Sequence, residues 1–418
     1  MREMKDSGIE WIGRIPKEWG VDKIKYHLKR NEPRNPGNTI VLSVYRDYGV
    51  IPKDSRDDNH NVTSEDTSKY KYVQEGNLVI NKMKAWQGSL AVSDYTGIVS
   101  PAYFIYQFTD KVLEKSFIHF LLRNCYKDEF RRISGGIRES QWDLPAQAFE
   151  NTSIIVPASG VQAEIVHFLN NRCSEIDSLS ADIQKQIDIL NQYKRSVITK
   201  AVTKGLDKNA EMKDSGIEWT QNIPKTWKVM PNKYIMHKIK NICSIYSGED
   251  ILSLTMQGVI VRDLDAGGKM PASFNGYQFL IPGNLLMCLF DYDVTPRCIG
   301  LIKNEGITSP AYSQFVVTQV ADARYYYYYY LMLDTTKELL HLAKNLRHSF
   351  TEDQLGEIKT PVPPIAEQKA IADFLDNKCS EINLSISEKQ KQLDKLAEYK
   401  KSLIYEYVTG KKEVPNAE

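Results

Sequence analysis

The sequence predicts an α+β chain: two mixed α/β domains joined by two long antiparallel helices that form an intramolecular coiled coil. Three observations predict it. The chain is written twice, because Met4-Lys-Asp-Ser-Gly-Ile-Glu-Trp11 recurs letter for letter as Met212 to Trp219. Each copy closes with about forty proline-free residues whose apolar side chains return every three or four positions, the signature of a helix with one buried stripe. Between these repeated blocks lie two dissimilar segments of nearly equal length, 20–155 and 228–361, rich in short β-branched and aromatic runs. A length of 418 residues suits two or three domains. A period of about two hundred residues marks a duplicated module and not a solenoid.

The expected order of elements follows. Residues 1–155 form the first domain, opened by a clasp over 4–19; 156–211 hold the first long helix and a linker. Residues 212–361 form the second domain with its clasp over 212–227, and 362–418 hold the second long helix and a tail. The clasps share Ile15-Pro16-Lys17 and Trp19 against Ile223-Pro224-Lys225 and Trp227, and a tryptophan placed twice alike reads as core. In the first domain, strands are expected at Thr39–Tyr45, Asn77–Ile80, Ser89–Val92 and Ala102–Tyr106, then a helix over about 114–130 with Phe117, Phe120, Leu121 and Cys125 on one side. The second repeats the order, with strands at Ile251–Leu254, Asn284–Leu289 and Ala311–Val317 and a helix over about 322–345. Six consecutive tyrosines, Tyr325 to Tyr330, open that helix. A run of six covers every helix face, so some rings are expected at the surface. Islands such as Gly76-Asn77-Leu78 against Gly283-Asn284-Leu285, and Ser100-Pro-Ala-Tyr103 against Ser309-Pro-Ala-Tyr312, tie the two domains together.

The long helices carry a stripe of Ile165, Leu169, Cys173, Ile176, Leu179, Ile183, Ile187, Leu190, Val197 and Ala201 in the first copy. The second copy has Leu375, Cys379, Ile382, Ile386, Leu393, Leu396, Leu403 and Tyr407, with Lys389 where the first has Ile183. Forty helical residues span roughly 60 Å. A single stripe of that length must be buried, and the other copy is the nearest partner. Helix pairing and subunit contact are therefore assigned to Leu169, Ile176, Ile183, Ile187 and Leu190, and to Leu375, Ile382, Ile386, Leu393 and Leu396. Cys173 and Cys379, on the stripe, read as small core residues.

Composition narrows the function. Hydrophobic residues make up 42% and charged residues 26%, which argues against disorder as the main state. No apolar run approaches a membrane span, and Met1 to Asp6 lead into no hydrophobic signal region. Six scattered cysteines without a C-x-x-C pair fit a reducing cytoplasm, the expected location. The net charge of +1 provides no basic tail, so nucleic acid would have to be held by local patches or with a partner's help. No phosphate-binding loop, H-E-x-x-H or G-x-S-x-G pattern is present. Glu357-Ile-Lys359 with Asp334 upstream imitates part of a nuclease cluster, but the triplet is common and the first domain lacks it.

Basic residues near turns are the better candidates for binding. Lys82 and Lys84 follow a strand, and Arg131, Arg132, Arg138, Ser140 and Gln141 lie in a Gly-containing loop after a helix. The second domain places Lys344, Arg347, His348 and Ser349 correspondingly, so that Arg138 pairs with Arg347. Arginine reads guanine edges, glutamine reads adenine, and lysine and serine hold phosphates. Solvation of a surface loop is the alternative role for each.

The repeated clasp Asp6-Ser-Gly-Ile-Glu-Trp11 with Ile15-Pro16, the Gly76-to-Trp86 stretch, Ser100-Pro101-Ala102-Tyr103, and Val362-Pro363-Pro364-x-x-Glu367-Gln368 closely resemble the specificity subunit of type I restriction-modification systems. The likeness spans the chain. The first copy departs at Val156-Pro157-Ala158-Ser159-Gly160-Val161-Gln162, which lacks the second proline and the acid before Gln162. The resemblance implies two target-recognition domains that bind a bipartite, asymmetric site in double-stranded DNA across a nonspecific gap. It implies no catalytic residue, metal or cofactor in this chain. S-adenosylmethionine would belong to two modification (methyltransferase) subunits, and ATP and Mg to two restriction (translocase and nuclease) subunits. A DNA-modifying enzyme acting alone and a coiled-coil adaptor that binds only protein remain the alternatives.

Overall fold

In the computed structural model each copy of the repeat opens with a two-stranded clasp. The structure describes residues 2–415 other than 38, 47, 56–62, 65, 137–141, 266–270, 344 and 346. Met4–Asp6 pairs antiparallel with Arg14–Pro16, and Met212–Asp214 with Asn222–Pro224. The repeated Asp-Ser-Gly-Ile makes the same turn twice. Asp6 Oδ1 accepts from Gly8 N–H at 2.9 Å and Ser7 Oγ from Ile9 N–H at 3.1 Å; Asp214 and Ser215 do the same at 2.9 and 3.0 Å. Side chains that bond their own backbone two residues on are what Asp and Ser supply in turns.

Two compact units form, Met1–Ile183 with Lys391–Glu418, and Gln184–Gln390. Each unit therefore holds one clasp, one reader (20–155 or 228–361), the start of the long helix that follows it, and the end of the other long helix. In the first unit a four-stranded antiparallel sheet runs Leu28–Arg30, Tyr103–Phe108, Leu78–Asn81, Leu90–Val92. In the second the order is Met236–Ile239, Ser313–Val317, Leu285–Met287, Ile299–Leu301. The Gly76-Asn77 and Gly283-Asn284 islands enter the same strand in each. Gly76 N–H donates to Ser93 O and Gly283 N–H to Ile302 O, both glycines at positive φ.

The reader helices are shorter than their periodicity predicts. The first is broken into Lys115–Cys125 and Lys127–Ile133 at Tyr126, whose buried ring stacks edge-on with Trp11 and whose hydroxyl donates to Ser153 O. The second spans Ala323–Thr336 and stops at Lys337, held at φ 53 while its Nζ bonds Asp334 and Thr295 O. The tyrosine run corrects the expectation of exposed rings. Five of the six are buried and Tyr327 is half-buried. The helix is covered on several sides, and hydroxyls find partners in the interior: Tyr325 donates to Val202 O, Tyr326 to Pro361 O and Tyr328 to Asp376, while Tyr329 accepts from Trp219 Nε1.

The long helices are Ser159–Lys204 and Ile365–Val408, and they pair antiparallel in both units. In the first, Phe168 stacks on Tyr407 at 4.5 Å and Lys400 bonds Asp177 at 2.6 Å. In the second, Lys194 donates to Asn383 at 2.9 Å and Lys389 to Gln186. Lys194–Asn383 and Lys400–Asp177 occupy equivalent places in the repeat. Leu169, Ile176, Ile183, Ile187, Leu375 and Ile382 are buried, Leu190, Ile386, Leu393 and Leu396 half-buried. Leu179 leaves the stripe and is exposed. No helix among the described residues is long and apolar enough to cross a membrane.

Both long helices begin three residues before a fully buried glutamine, despite the missing proline and acid in the first copy. Gln162 accepts from Glu114 N–H and donates to Val112 O and Pro157 O, at 2.8, 2.9 and 2.7 Å. Gln368 accepts from Asp322 N–H and donates to Val320 O and Pro363 O, at 2.8, 2.9 and 2.9 Å. Glu114 and Asp322 are themselves the N-caps of the reader helices. One side chain thus fixes each reader helix to its long helix.

Candidate nucleic-acid interface

In each reader the central strand ends beside a loop that follows the reader helix. The anchoring bond is the same in both: Leu144 N–H donates to Lys82 O at 2.9 Å, and Phe350 N–H to Leu289 O at 2.7 Å. What surrounds that bond differs.

In the first reader Gly135 and Asp143 exchange backbone bonds of 3.1 and 2.9 Å, which pinches the chain together at these two residues. Lys82 Nζ lies 3.0 Å from Asp143 Oδ2 and ties the pinch to the strand end. Trp86 and Trp142 meet edge-on at 5.6 Å, and the Arg131 guanidinium lies 5.8 Å from each ring. Arg132 forms a bidentate pair with Glu129, at 2.7 and 2.8 Å. Of the residues expected to bind, Lys82 and Arg132 are therefore engaged by carboxylates, while Lys84 and Arg131 are exposed. Arg138, Ser140 and Gln141 lie outside the described residues.

In the second reader Asp291 stands where the first has Lys84, and Asp293 where it has Trp86. Asp291 N–H donates to Arg347 O at 2.9 Å and Tyr292 N–H to His348 O at 3.1 Å. Arg347 Nε is 3.5 Å from Asp291 Oδ1, with the arginine side chain 77% exposed. His348 Nδ1 is 3.0 Å from Asp293 Oδ2. Partial desolvation is the largest effect on Asp293 and opposes its charge, but the hydrogen bond from His348 and those from backbone N–H groups at Asp293 and Val294 together outweigh it and hold the carboxyl below its usual range. Ser349 closes the loop on itself: its N–H donates to Asn345 Oδ1 and its Oγ to Arg347 O. Lys344 lies outside the described residues. The sequence reading followed cations and missed the carboxylates and rings that orient them. Aligning the two copies at Leu78 and Leu285 would have set Asp291 against Lys84 and exposed the contrast.

The nuclease-like triplet is not assembled. Asp334 is buried and bonded by Lys337 Nζ at 2.7 Å and Cys298 N–H at 2.8 Å, while Glu357 pairs with Lys233 at 2.7 Å. Among the described residues no group of three His, Cys, Asp or Glu side chains could hold a metal ion. The cysteines are free, and burial pushes the Cys125 thiol up to about 12, far from the reactive range.

Residues 297–395 match the family model described as the type I restriction modification DNA specificity domain. They cover the second reader's helix and most of the long helix after it. Across 96% of this chain and 95% of the relative, the sequence is 25% identical to the specificity subunit of type I restriction enzyme MjaVIII from Methanocaldococcus jannaschii. The family model and this relative liken the chain to the type I restriction-modification specificity subunits. A putative type I restriction enzyme specificity subunit of the same organism, MjaX, is 23% identical over the same shares of both chains. A chain solved in work on complex assembly and conformational transition of the type I R-M system matches this chain with a TM-score of 0.69 at 11% identity. The match covers 94% of this chain and 98% of that one, and shows that the fold is shared.

Proposed function

We propose that this chain is a type I restriction-modification specificity subunit that recognises an asymmetric, bipartite site in double-stranded DNA, one half-site per reader, with a nonspecific gap between. It recruits two modification and two restriction subunits. S-adenosylmethionine, ATP and Mg act on those partners, and this chain supplies no catalytic group. One observation carries the reading: a frame repeated in detail holds two readers whose equivalent strand ends carry different chemistry, Lys82, Lys84 and Trp86 in one against Leu289, Asp291 and Asp293 in the other. Two copies of one reader would suit a palindrome; two unlike readers suit two unlike half-sites. Exchange of residues 228–361 for the reader of a related chain tests this. Methylome mapping of cells that express the assembled complex is expected to show one half-site changed and the other retained. Methylation at a motif altered in both halves would refute independent readers.

A further inference from the structure

The second reader's loop contains two residues in the left-handed region, Asp291 at φ 48 and His348 at φ 43, on segments joined by backbone bonds. Non-glycine residues adopt this conformation at a cost. Here Asp291 N–H to Arg347 O, Tyr292 N–H to His348 O and the edge-on stack of buried Tyr292 and Phe350 at 5.4 Å hold it in place. The strained pair presents two carboxylates to the loop's two cations. Asp291 Oδ1 stands 3.5 Å from Arg347 Nε, and Asp293 Oδ2 stands 3.0 Å from His348 Nδ1.

Such an arrangement is poor for holding phosphate. DNA backbone affinity grows with uncompensated positive charge, and Asp291 offsets the charge of Arg347 while Asp293 adds a second carboxylate to the same loop. What the carboxylates add is orientation. A contact at Nε, the inner nitrogen, steadies the guanidinium and leaves its outer fork available. A fork of two parallel N–H donors matches the O6 and N7 acceptors of guanine in the major groove.

We infer that Asp291 and Asp293 are positioning residues that hold Arg347 and His348 so that Arg347 reads a guanine in the second half-site. This rests on the proposed function, since it requires that the loop meet DNA. At the position of Asp291 the first reader has Lys84.

The test uses the complex of this chain with its modification subunits and a duplex carrying the methylated site, with single base-pair replacements across both half-sites. Binding is followed by fluorescence anisotropy at fixed salt. Arg347→Ala is expected to weaken binding to the native duplex by about 5- to 150-fold, the range of one bidentate base contact, and to abolish preference at a single G·C pair of one half-site. Asp291→Asn removes the charge while keeping a residue that tolerates positive φ. It is expected to lose about 3- to 10-fold of the preference at that same pair, while binding to unrelated DNA stays equal or strengthens as repulsion of phosphates is relieved. A purely structural role for Asp291 would not produce that split. Equal losses on every duplex, or a changed preference at a pair other than G·C or in both half-sites, would overturn the inference. A wild-type complex with no sequence preference would instead overturn the proposed function, and the inference with it.

Discussion

Gln162 and Gln368 show what a single residue does in this chain. Each is fully buried, and each satisfies two carbonyl acceptors and one N–H donor at the N-terminus of a reader helix and the start of a long helix. Replacing either with methionine keeps volume but leaves two carbonyls and one N–H without their partner. Unpaired buried groups cost roughly 1–3 kcal/mol each before relaxation, so a loss of about 2–4 kcal/mol is expected in the unit concerned. Glutamate should be worse than methionine, because it keeps the acceptor, loses both donors and adds a buried charge. Thermal unfolding of the full chain reads the order: wild type above Gln→Met above Gln→Glu, at both positions. Equal melting of all three would mean that other contacts fix the reader helices. The sequence showed both glutamines as identical in the two copies but not their task, because their partners at Val112 and Val320 lie about fifty residues upstream in the segments that diverged.

At the scale of elements, local pattern was legible wherever one face is buried and another wet. The long helices, the clasps and the strands at Leu78–Asn81 and Tyr103–Phe108 follow from periodicity and β-branched content alone. The tyrosine helix did not, because tertiary cover on several sides erases the amphipathic signal. What the ends of the long helices pack against was also opaque, although Gly205 marked where the first one stops. Both finish at a glycine in the left-handed conformation, Gly205 at φ 71 and Gly410 at φ 70, and both glycines lie against a clasp tryptophan. A Cβ on Gly410 would stand 2.5 Å from Pro16 Cδ and 2.9 Å from Trp19 Cη2, atoms of rigid rings. On Gly205 it would meet Glu367 Oε1 at 2.8 Å, the far end of a flexible chain, and Trp227 only at 3.3 Å. Gly410→Ala is therefore expected to cost about 2–4 kcal/mol, positive φ and overpacking together, against about 1–2 kcal/mol for Gly205→Ala. Urea unfolding of the two variants measures the difference, and a reversed order would show that the clasps yield more readily than their ring geometry implies.

At the scale of the whole molecule each long helix is divided between the two units, Ser159–Lys204 at Ile183/Gln184 and Ile365–Val408 at Gln390/Lys391, and the two pair antiparallel within each unit, through Asp177–Lys400 in the first and Gln186–Lys389 in the second. The end of the first helix is not a slack join. Ala201 and Val202 are buried and Gly205 packs against Trp227, so residues added there would disturb the second unit's core. The place to change the length of the connection is the division itself, and the change must be made in both helices or the pairing loses register. Seven residues preserve the heptad phase of the stripe, where four would shift it. A seven-residue insertion after Ile183, matched by one after Gln390, lengthens the helical connection by about 10 Å. At 3.4 Å per base pair that is about three base pairs of DNA. Methylome mapping of cells that express the doubly extended chain is expected to return the same two half-sites with a gap about three base pairs longer, because no reading loop has been altered. Insertion in one helix alone should abolish methylation, since the stripes of the two helices then no longer meet. Unchanged spacing in the double variant would mean that the partner subunits, and not these helices, set the distance between half-sites.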